Sequence, residues 1–293
     1  MSALVLLTPD APAGRVADPD VPQLLVTDLG VVRGDGVFET LLAVDGRALQ
    51  LEAHLDRLAS SADALDLDLP AGERWQAAIE TGLAEFARVH GEAEAMIRLV
   101  GTRGVDAAGP PTCWVYLQPV PASSREQRHR GLDVLLLDRG YSSDAAEAAP
   151  WLLLGSKTTS YAVNMAALRY AHRQGADDAI FVSSDGRVLE GPTSTLLIAR
   201  TRDGVRELVT PLLRSGILAG TTQGALFATA EPAGWRLGYG PLTPEELHGN
   251  DGVWLASSVR LLAPIRSVDG CEIAVSPELT EELTELLLTA TRH

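Results

Sequence analysis

The chain has one lysine, Lys157, among its 24 lysine and arginine residues, so the other 23 are arginine. Arginine replaces lysine as a solvated charge, but its guanidinium stays protonated and does not form an imine with a carbonyl group. A lysine kept at a single position therefore indicates covalent chemistry at its amino group. Taken by itself, the count leaves open that Lys157 is a chance survivor of a composition biased towards arginine.

Glu190 is the second residue whose position suggests chemistry. It ends a predicted return strand over residues 188–191, which follows a strand over 179–182 and a turn at 184–186. An isolated glutamate at the end of a strand is usually a solvated charge. Beside a pyridine ring, however, the same carboxylate keeps the ring nitrogen protonated and makes the ring a stronger electron sink.

Composition limits the partners of the chain. The 24 basic and 39 acidic residues among 293 give a formal net charge of −15. Nucleic acids and anionic membranes require a basic surface, so we expect neither as a partner. The early apolar run over residues 4–7 is short for a signal peptide and no stretch reaches transmembrane length, so we expect a cytoplasmic protein. The histidines and cysteines show no metal-ligand spacing, and we expect no metal.

Hydrophobic periodicity predicts the elements that position these residues. Apolar residues recur every three or four positions from Leu51 to Leu65, which predicts a helix. Further helices are predicted over residues 73–89, 161–174, 223–230 and 281–289, and strands over 37–42, 95–101, 112–119, 133–138, 179–182 and 195–199. We therefore predict an α/β (α+β) fold with a smaller N-terminal α/β domain (1–118), a linker (119–125) and a larger C-terminal domain (126–293) that carries the lysine.

Six motifs follow one another in a characteristic order. They are residues 34–40 (GDGVFET), 54–58 (HLDRL), Lys157 followed by Asn164, 190–195 (EGPTST), 220–222 (GTT) and 256–258 (ASS). This order resembles the class IV aminotransferases, which are pyridoxal 5'-phosphate (PLP) enzymes of fold type IV. The resemblance covers residues 28–270. It implies a fold like that of branched-chain and D-amino-acid aminotransferases, PLP as the cofactor, a small-molecule amine as the substrate and a homodimer.

The resemblance also implies roles for individual residues. Lys157 matches the lysine that forms the imine with the cofactor and later moves protons on the substrate. Glu190 matches the partner of the pyridine nitrogen, and Arg57 matches the arginine that binds the phosphate. The other cofactor-binding residues implied are Ser194, Leu218, Thr221, Thr222 and Ser258. Amides and a hydroxyl at the start of a helix suit a phosphate, although the same groups would serve equally well as a helix cap.

Departures from the family pattern bear on the substrate. D-Amino-acid aminotransferases place an Arg-x-His pair shortly after Thr-Arg-Gly, whereas this chain has TRG at 102–104 but AGP at 108–110. Branched-chain enzymes usually show Tyr-x-Arg where this chain has Met96-Ile97-Arg98. The chain looks most like 4-amino-4-deoxychorismate lyase, which releases pyruvate and gives 4-aminobenzoate for the folate pathway. Transamination stays the alternative, and a non-enzymatic binding module is disfavoured because the lysine and its carboxylate partner are both present. The candidate substrate-binding residues are Val37, Met96, Arg98 and Arg103.

Overall fold

A computed structural model describes residues 2–290, and it divides the chain into two compact units. The first unit is the chain up to Pro121 together with Ser156–Tyr161, and the second is Ala122–Gly155 together with the chain from Ala162 onward. In the described part of the chain, no helix is both long enough and apolar enough to cross a membrane.

The first unit is built on a six-stranded antiparallel sheet, as far as the described residues show. Its elements are β1 (Ala3–Leu7), β2 (Arg15–Ala17), α1 (Leu29–Arg33), β3 (Gly36–Val44), β4 (Arg47–Ala48), α2 (Leu51–Ala64), α3 (Gly72–His90), β5 (Ala95–Thr102) and β6 (Thr112–Pro119). The strand order is β2-β1-β6-β5-β3-β4. Helices α2 and α3 pack against strands β3, β1 and β6.

One face of this sheet forms the core of the first unit. Along β3, Val37, Glu39 and Leu41 are fully buried, because alternate residues of a strand point to the same face. Val37 and Leu41 lie in an apolar cluster with the inward side chains of α2 and α3. The apolar stripe predicted for α2 is confirmed, and its members in this cluster are Leu51, Leu55, Leu58, Ala62 and Leu65.

The second unit combines a mixed eight-stranded sheet with helices. Its elements are α4 (Ala122–Arg130), β7 (Leu132–Asp138), α5 (Ala145–Ala148), α6 (Ala162–Arg173), β8 (Asp178–Val182), β9 (Thr195–Arg202), β10 (Val205–Pro211), α7 (Thr221–Ala230), β11 (Arg236–Gly240), β12 (Gly252–Ser257), β13 (Leu261–Val268), β14 (Cys271–Glu272) and α8 (Pro277–Ala290). Short 3-10 turns lie at Pro150–Leu152, Leu213–Ser215 and Pro244–Leu247.

The second sheet has the order β11-β10-β9-β12-β13-β7-β8, and β14 pairs with β13. Strands β7 and β8 are parallel, and α6 connects them and packs against both. Parallel neighbours need such a crossover, because a tight turn cannot join them. The predicted mixed fold of helices and strands is confirmed. The loop after β8 carries Glu190, and a backbone hydrogen bond from Phe181 to Glu190 joins this loop to β8.

Three local features differ from the expectations. Helix α4 begins at Ala122, inside the predicted linker, and the two units divide at that residue. The segment with Lys157 lies in the first unit rather than with residues 126–293, because its backbone hydrogen-bonds to β3. The predicted return strand over residues 188–191 is wrong as a regular strand: this stretch makes two isolated β-bridges, from Val188 to Val182 and from Gly191 to Ser194.

Candidate active site

The backbone of Lys157 is held by two elements of the first unit. The amide of Phe38 on β3 donates to the Lys157 carbonyl at 3.0 Å, and the amide of Thr159 donates to the Gly36 carbonyl at 2.8 Å. The amide of Lys157 donates to the Ser61 hydroxyl on α2 at 3.1 Å. The lysine is thus fixed to β3 on one side and to α2 on the other.

Two aromatic rings surround the half-buried amine of Lys157. Its Nζ atom lies 4.6 Å from the ring centre of Phe38 and 5.6 Å from that of Tyr161. The two rings meet edge to face, with their centres 5.1 Å apart. Aromatic faces attract a cation and exclude part of its water, and they restrict the directions in which the amine can point.

Arg57 forms a two-bonded ion pair with a buried carboxylate of the same unit. Its Nε and Nη2 atoms donate to Glu39 Oε1 and Oε2 at 2.7 and 2.8 Å. The Nδ1 atom of His54, one turn earlier on α2, lies 2.7 Å from Glu39 Oε2. Glu39 and His54 are both fully buried. The arginine that the sequence assigns to the cofactor phosphate is therefore oriented by a neighbouring carboxylate.

The charges of this cluster follow from its surroundings. Burial would raise the pKa of Glu39, but the hydrogen bonds from Arg57 and His54 outweigh burial and hold that pKa at about 2. Burial lowers the pKa of His54 despite the hydrogen bond to Glu39, and the charges of Arg57 and Lys157 lower it further. Glu39 is therefore ionised and His54 is neutral near pH 7, so Nδ1 of His54 donates its proton to the carboxylate.

Arg103 lies in a different environment from the one that its sequence position suggests. Its Nε and Nη2 atoms donate to the two carboxylate oxygens of Asp35, and Nη1 and Nη2 donate to the carbonyls of Asp66 and Leu65. These carbonyls follow the end of α2. The contacts favour a role in holding α2 to the loop before β3, rather than in binding a substrate carboxylate.

We therefore expect Arg103→Gln to lower the free energy of unfolding by about 1 to 3 kcal/mol, because bonds to a charged group are lost, and to leave KM unchanged. Denaturant titration and steady-state kinetics measure the two effects. Arg88→Gln is the control, since Arg88 is exposed, pairs with Glu85 on the surface of α3 and should contribute little. A raised KM at unchanged stability would instead assign Arg103 to the substrate.

The other candidate substrate residues divide between the two faces of the first sheet. The side chain of Val37 lies in the apolar core, and its backbone forms a β-bridge with Thr158. Arg98 is exposed on the opposite face, where Thr40 and Tyr116 are its cross-strand neighbours. Met96 is half-buried on the same face as Arg98. Arg98 thus remains the positively charged candidate for binding a substrate carboxylate, whereas Val37 can contact a substrate only through its backbone.

In the second unit, Glu190 is anchored at both its backbone and its side chain. Its carbonyl accepts from the amide of Phe181 on β8 at 2.8 Å, and Oε2 accepts from the amide of Leu218 at 3.1 Å. The amide group of Asn164 on α6 donates to the Pro192 carbonyl at 2.7 Å and so fixes the turn after Glu190. The carboxylate is therefore held in one orientation, as a partner for a ring nitrogen requires.

Groups suited to a phosphate meet at the start of α7. Thr221 and Thr222 are buried in its first turn, and the N-cap residue, Gly220, has no side chain to bond the first amides. A Cβ atom at Gly220 would lie 2.4 Å from the Thr195 hydroxyl, so the turn that carries Ser194 approaches this helix closely. The hydroxyl of Ser194 is buried and has no hydrogen-bond partner among the residues that the structure describes.

These observations test whether the residues fit PLP. A helix N-terminus attracts an anion, and the Ser194 hydroxyl is a buried polar atom without a partner among the described residues. Ser258, directly after β12, is half-buried. Within the first unit, the backbone of Lys157 and the guanidinium of Arg57 are fixed by their neighbours. Within the second unit, the carboxylate of Glu190 is fixed. By their chemistry these groups fit PLP, and their individual roles stay proposals.

Sequence reasoning missed several residues of these clusters. Glu39 appeared only as part of a motif, although a glutamate between two inward-facing residues of β3 signals a buried charge that needs a partner. Ser61, Phe38 and Tyr161 gave no signal of their own. Leu218 was predicted only as a cofactor-binding residue, and the structure shows that its amide donates to Glu190. Within residues 2–290, histidine, cysteine and acidic side chains form no group of three that could hold a metal.

Comparisons with known proteins identify the family of the chain. The family model for class IV amino-transferases matches residues 36–268. A bifunctional aminodeoxychorismate lyase / D-amino acid transaminase of Mycobacterium tuberculosis is 44% identical over 95% of this chain and 98% of its own length. A PLP-bound structure of a hypothetical aminotransferase from the same species matches with 42% identity and TM-score 0.92 over 99% of both chains. A fold IV-transaminase of Curtobacterium pusillum matches with 45% identity and TM-score 0.90, over 98% of this chain and 99% of its own.

The fold and the residues thus define a PLP enzyme of fold type IV. The chain belongs to the class IV aminotransferase family. The resemblance predicted from the six motifs is confirmed, as are the fold class and PLP as the cofactor of the family.

Proposed function

We propose that this chain is a PLP-dependent 4-amino-4-deoxychorismate lyase, which eliminates pyruvate from its substrate and gives 4-aminobenzoate. The observation that carries this proposal is the 44% identity, over 95% of the chain, to a relative whose name includes this lyase activity. The altered residues 108–110, where D-amino-acid aminotransferases have Arg-x-His, support the lyase over a dedicated D-amino-acid enzyme. A cytoplasmic homodimer acting in the folate pathway is part of the same proposal.

Each fixed group has a role in this proposal. When bound, PLP accepts the electrons left when the carbon bearing the substrate nitrogen loses a proton. Lys157 anchors the cofactor, and its amine, once the substrate amine has replaced it, removes that proton. Glu190 keeps the pyridine nitrogen protonated, and Leu218 supports the ring. Phosphate binding falls to Arg57, Ser194, Thr221, Thr222 and Ser258.

The substrate then undergoes elimination. The bond to the enolpyruvyl oxygen breaks, the departing enolate takes up a proton to become pyruvate, and the remaining six-membered ring becomes aromatic. Aromatisation makes this step irreversible in practice. The substrate carries carboxylates, and we propose Arg98, with Met96 beside it on the same face of β5, as the group that binds one of them. The exposed guanidinium of Arg98 suits a carboxylate, and its cross-strand neighbour Thr40 carries a hydroxyl.

Amino-acid transamination is the second candidate function. The name of the M. tuberculosis relative includes D-amino acid transaminase, and the C. pusillum neighbour is described as a transaminase. The two reactions share every proposed cofactor contact. They differ after the proton has been removed: the lyase breaks the bond to the enolpyruvyl oxygen, whereas in transamination Lys157 would return the proton on the cofactor side and an oxo acid would leave.

Paired assays on the purified PLP-loaded protein distinguish these functions. We expect equal amounts of 4-aminobenzoate and pyruvate from aminodeoxychorismate, with Lys157→Ala protein as the blank. A panel of L- and D-amino acids, followed by the spectral change to the pyridoxamine form, tests transamination. Conversion by an amino acid without any 4-aminobenzoate would replace the lyase by the transaminase, and both activities together would make the chain bifunctional.

A further inference from the structure

The buried carboxylate of Glu39 is not part of the chemistry described so far. It lies on the core face of β3, between the buried side chains of Val37 and Leu41, and is fully inaccessible to solvent. An ionised carboxylate in apolar surroundings is costly unless it is paired and hydrogen-bonded. An apolar residue would fill this place on the strand at lower cost, so the charge calls for a functional explanation.

Glu39 determines the orientation of Arg57. Its two oxygens accept hydrogen bonds from the Nε and Nη2 atoms of the guanidinium at 2.7 and 2.8 Å, and these two bonds fix the plane of that group. His54 donates at 2.7 Å to Oε2 of Glu39, the oxygen that also accepts from Nη2 of Arg57, and this third hydrogen bond further restrains the carboxylate. The plane of the guanidinium, and with it the direction from which Arg57 can bind an anion, is thereby set.

The same two elements hold Lys157. Glu39 follows Phe38, whose amide binds the Lys157 carbonyl, and Arg57 lies one turn before Ser61, which accepts from the Lys157 amide. A shift of Arg57 relative to β3 is therefore also a shift relative to the lysine. This connection within the first unit argues against a pair that serves only to stabilise the core.

We propose that Glu39 is a positioning residue, which fixes the guanidinium of Arg57 in the orientation that binds the phosphate of the cofactor, with His54 holding Glu39 in place. This inference rests on the proposed assignment of Arg57 to that phosphate. It predicts that Glu39 affects binding of the phosphate group specifically, whereas a purely structural pair would affect every ligand equally.

The test compares PLP with pyridoxal, the same aldehyde without the phosphate. The full-length protein is stripped of cofactor and titrated with each compound, and the imine band at Lys157 reports binding of both. We expect Glu39→Gln to weaken PLP binding by about tenfold or more, as for a misplaced bond to a charged group, and to leave pyridoxal binding at the wild-type level. Equal loss for both compounds, or no loss for either, overturns the proposal.

Glu207→Gln is the matched control. Glu207 is a buried glutamate of the second unit that also accepts from two arginines, Arg200 and Arg236. The same chemical change there should leave both affinities unaltered. If Glu39→Gln does not fold, Glu39→Asp replaces it, because the shorter side chain keeps the charge but draws the guanidinium away from its place.

A double-mutant cycle separates the role of Glu39 from the assignment of Arg57 to the phosphate. If Glu39 acts through Arg57, the double variant with Arg57→Met loses no more PLP affinity than Arg57→Met alone. Selective loss of PLP binding in Arg57→Met but not in Glu39→Gln contradicts this inference and leaves the phosphate assignment intact. An unchanged ratio of the two affinities in Arg57→Met overturns that assignment and this inference with it.

Discussion

Replacing Lys157 by alanine is expected to abolish the imine absorbance and to reduce turnover by about 10⁴-fold or more, since one residue provides both the covalent anchor and the base. No other lysine in the 293 residues can take over either task. The backbone contacts of this position, to Phe38 and Ser61, do not involve its side chain and should persist in the variant.

Two measurements and one control variant check this result. Borohydride reduction of the PLP-loaded protein, followed by intact-mass analysis, should add one cofactor to the wild type and none to Lys157→Ala. Thermal unfolding shows whether the variant is folded. Lys157→Arg is the control for charge, because it keeps a cation beside the rings of Phe38 and Tyr161 but cannot form an imine. Activity in either variant would contradict the proposed role of Lys157.

The regular elements were predictable because their physical signals are local. The apolar stripe from Leu51 to Leu65 fixes both the period and the buried face of α2, and strand β6 begins and ends where predicted, at Thr112 and Pro119. Hydrophobic spacing encodes such elements directly. The cofactor class could also be predicted, because the lone lysine and the order of the motifs are properties of the sequence itself.

The arrangement around Lys157 could not be predicted in the same way. Its segment joins β3 through backbone hydrogen bonds to Gly36 and Phe38, residues far away in the sequence, and backbone groups carry no residue-specific signal. The hydrogen bond from the amide of Leu218 to Glu190 could not be predicted for the same reason, because it too involves a backbone group. Periodicity identifies which residues face inward, but it does not identify the partners that they find there.

The two arginines of the first unit show the same limit for charged side chains. Residue type alone predicts that Arg57 and Arg103 bind anions. Both do bind carboxylates, Arg57 that of Glu39 and Arg103 that of Asp35. Which anion an arginine meets depends on the packing of α2 against β3, and this is decided by long-range contacts. A motif match thus identifies a residue's chemistry more reliably than its partner.

The second large effect is expected at Glu190. Glu190→Gln should retain PLP but lose about 100- to 1000-fold in kcat, the cost of removing one charge-stabilising group. Glutamine has nearly the same shape, and its side-chain oxygen can still accept from the Leu218 amide, so the loop keeps its geometry. What is lost is the negative charge that keeps the pyridine nitrogen protonated.

Cofactor titration and saturated turnover separate these effects. Glu190→Gln should bind PLP as tightly as the wild type, which shows that the loop after β8 is intact, while kcat falls. Glu190→Asp keeps the charge but withdraws it by one methylene group, and its kcat should lie between the two. Wild-type turnover in Glu190→Gln would mean that the ring nitrogen has another partner. A loss of PLP binding that matches the loss of turnover would assign Glu190 to holding the cofactor rather than to its electronic activation.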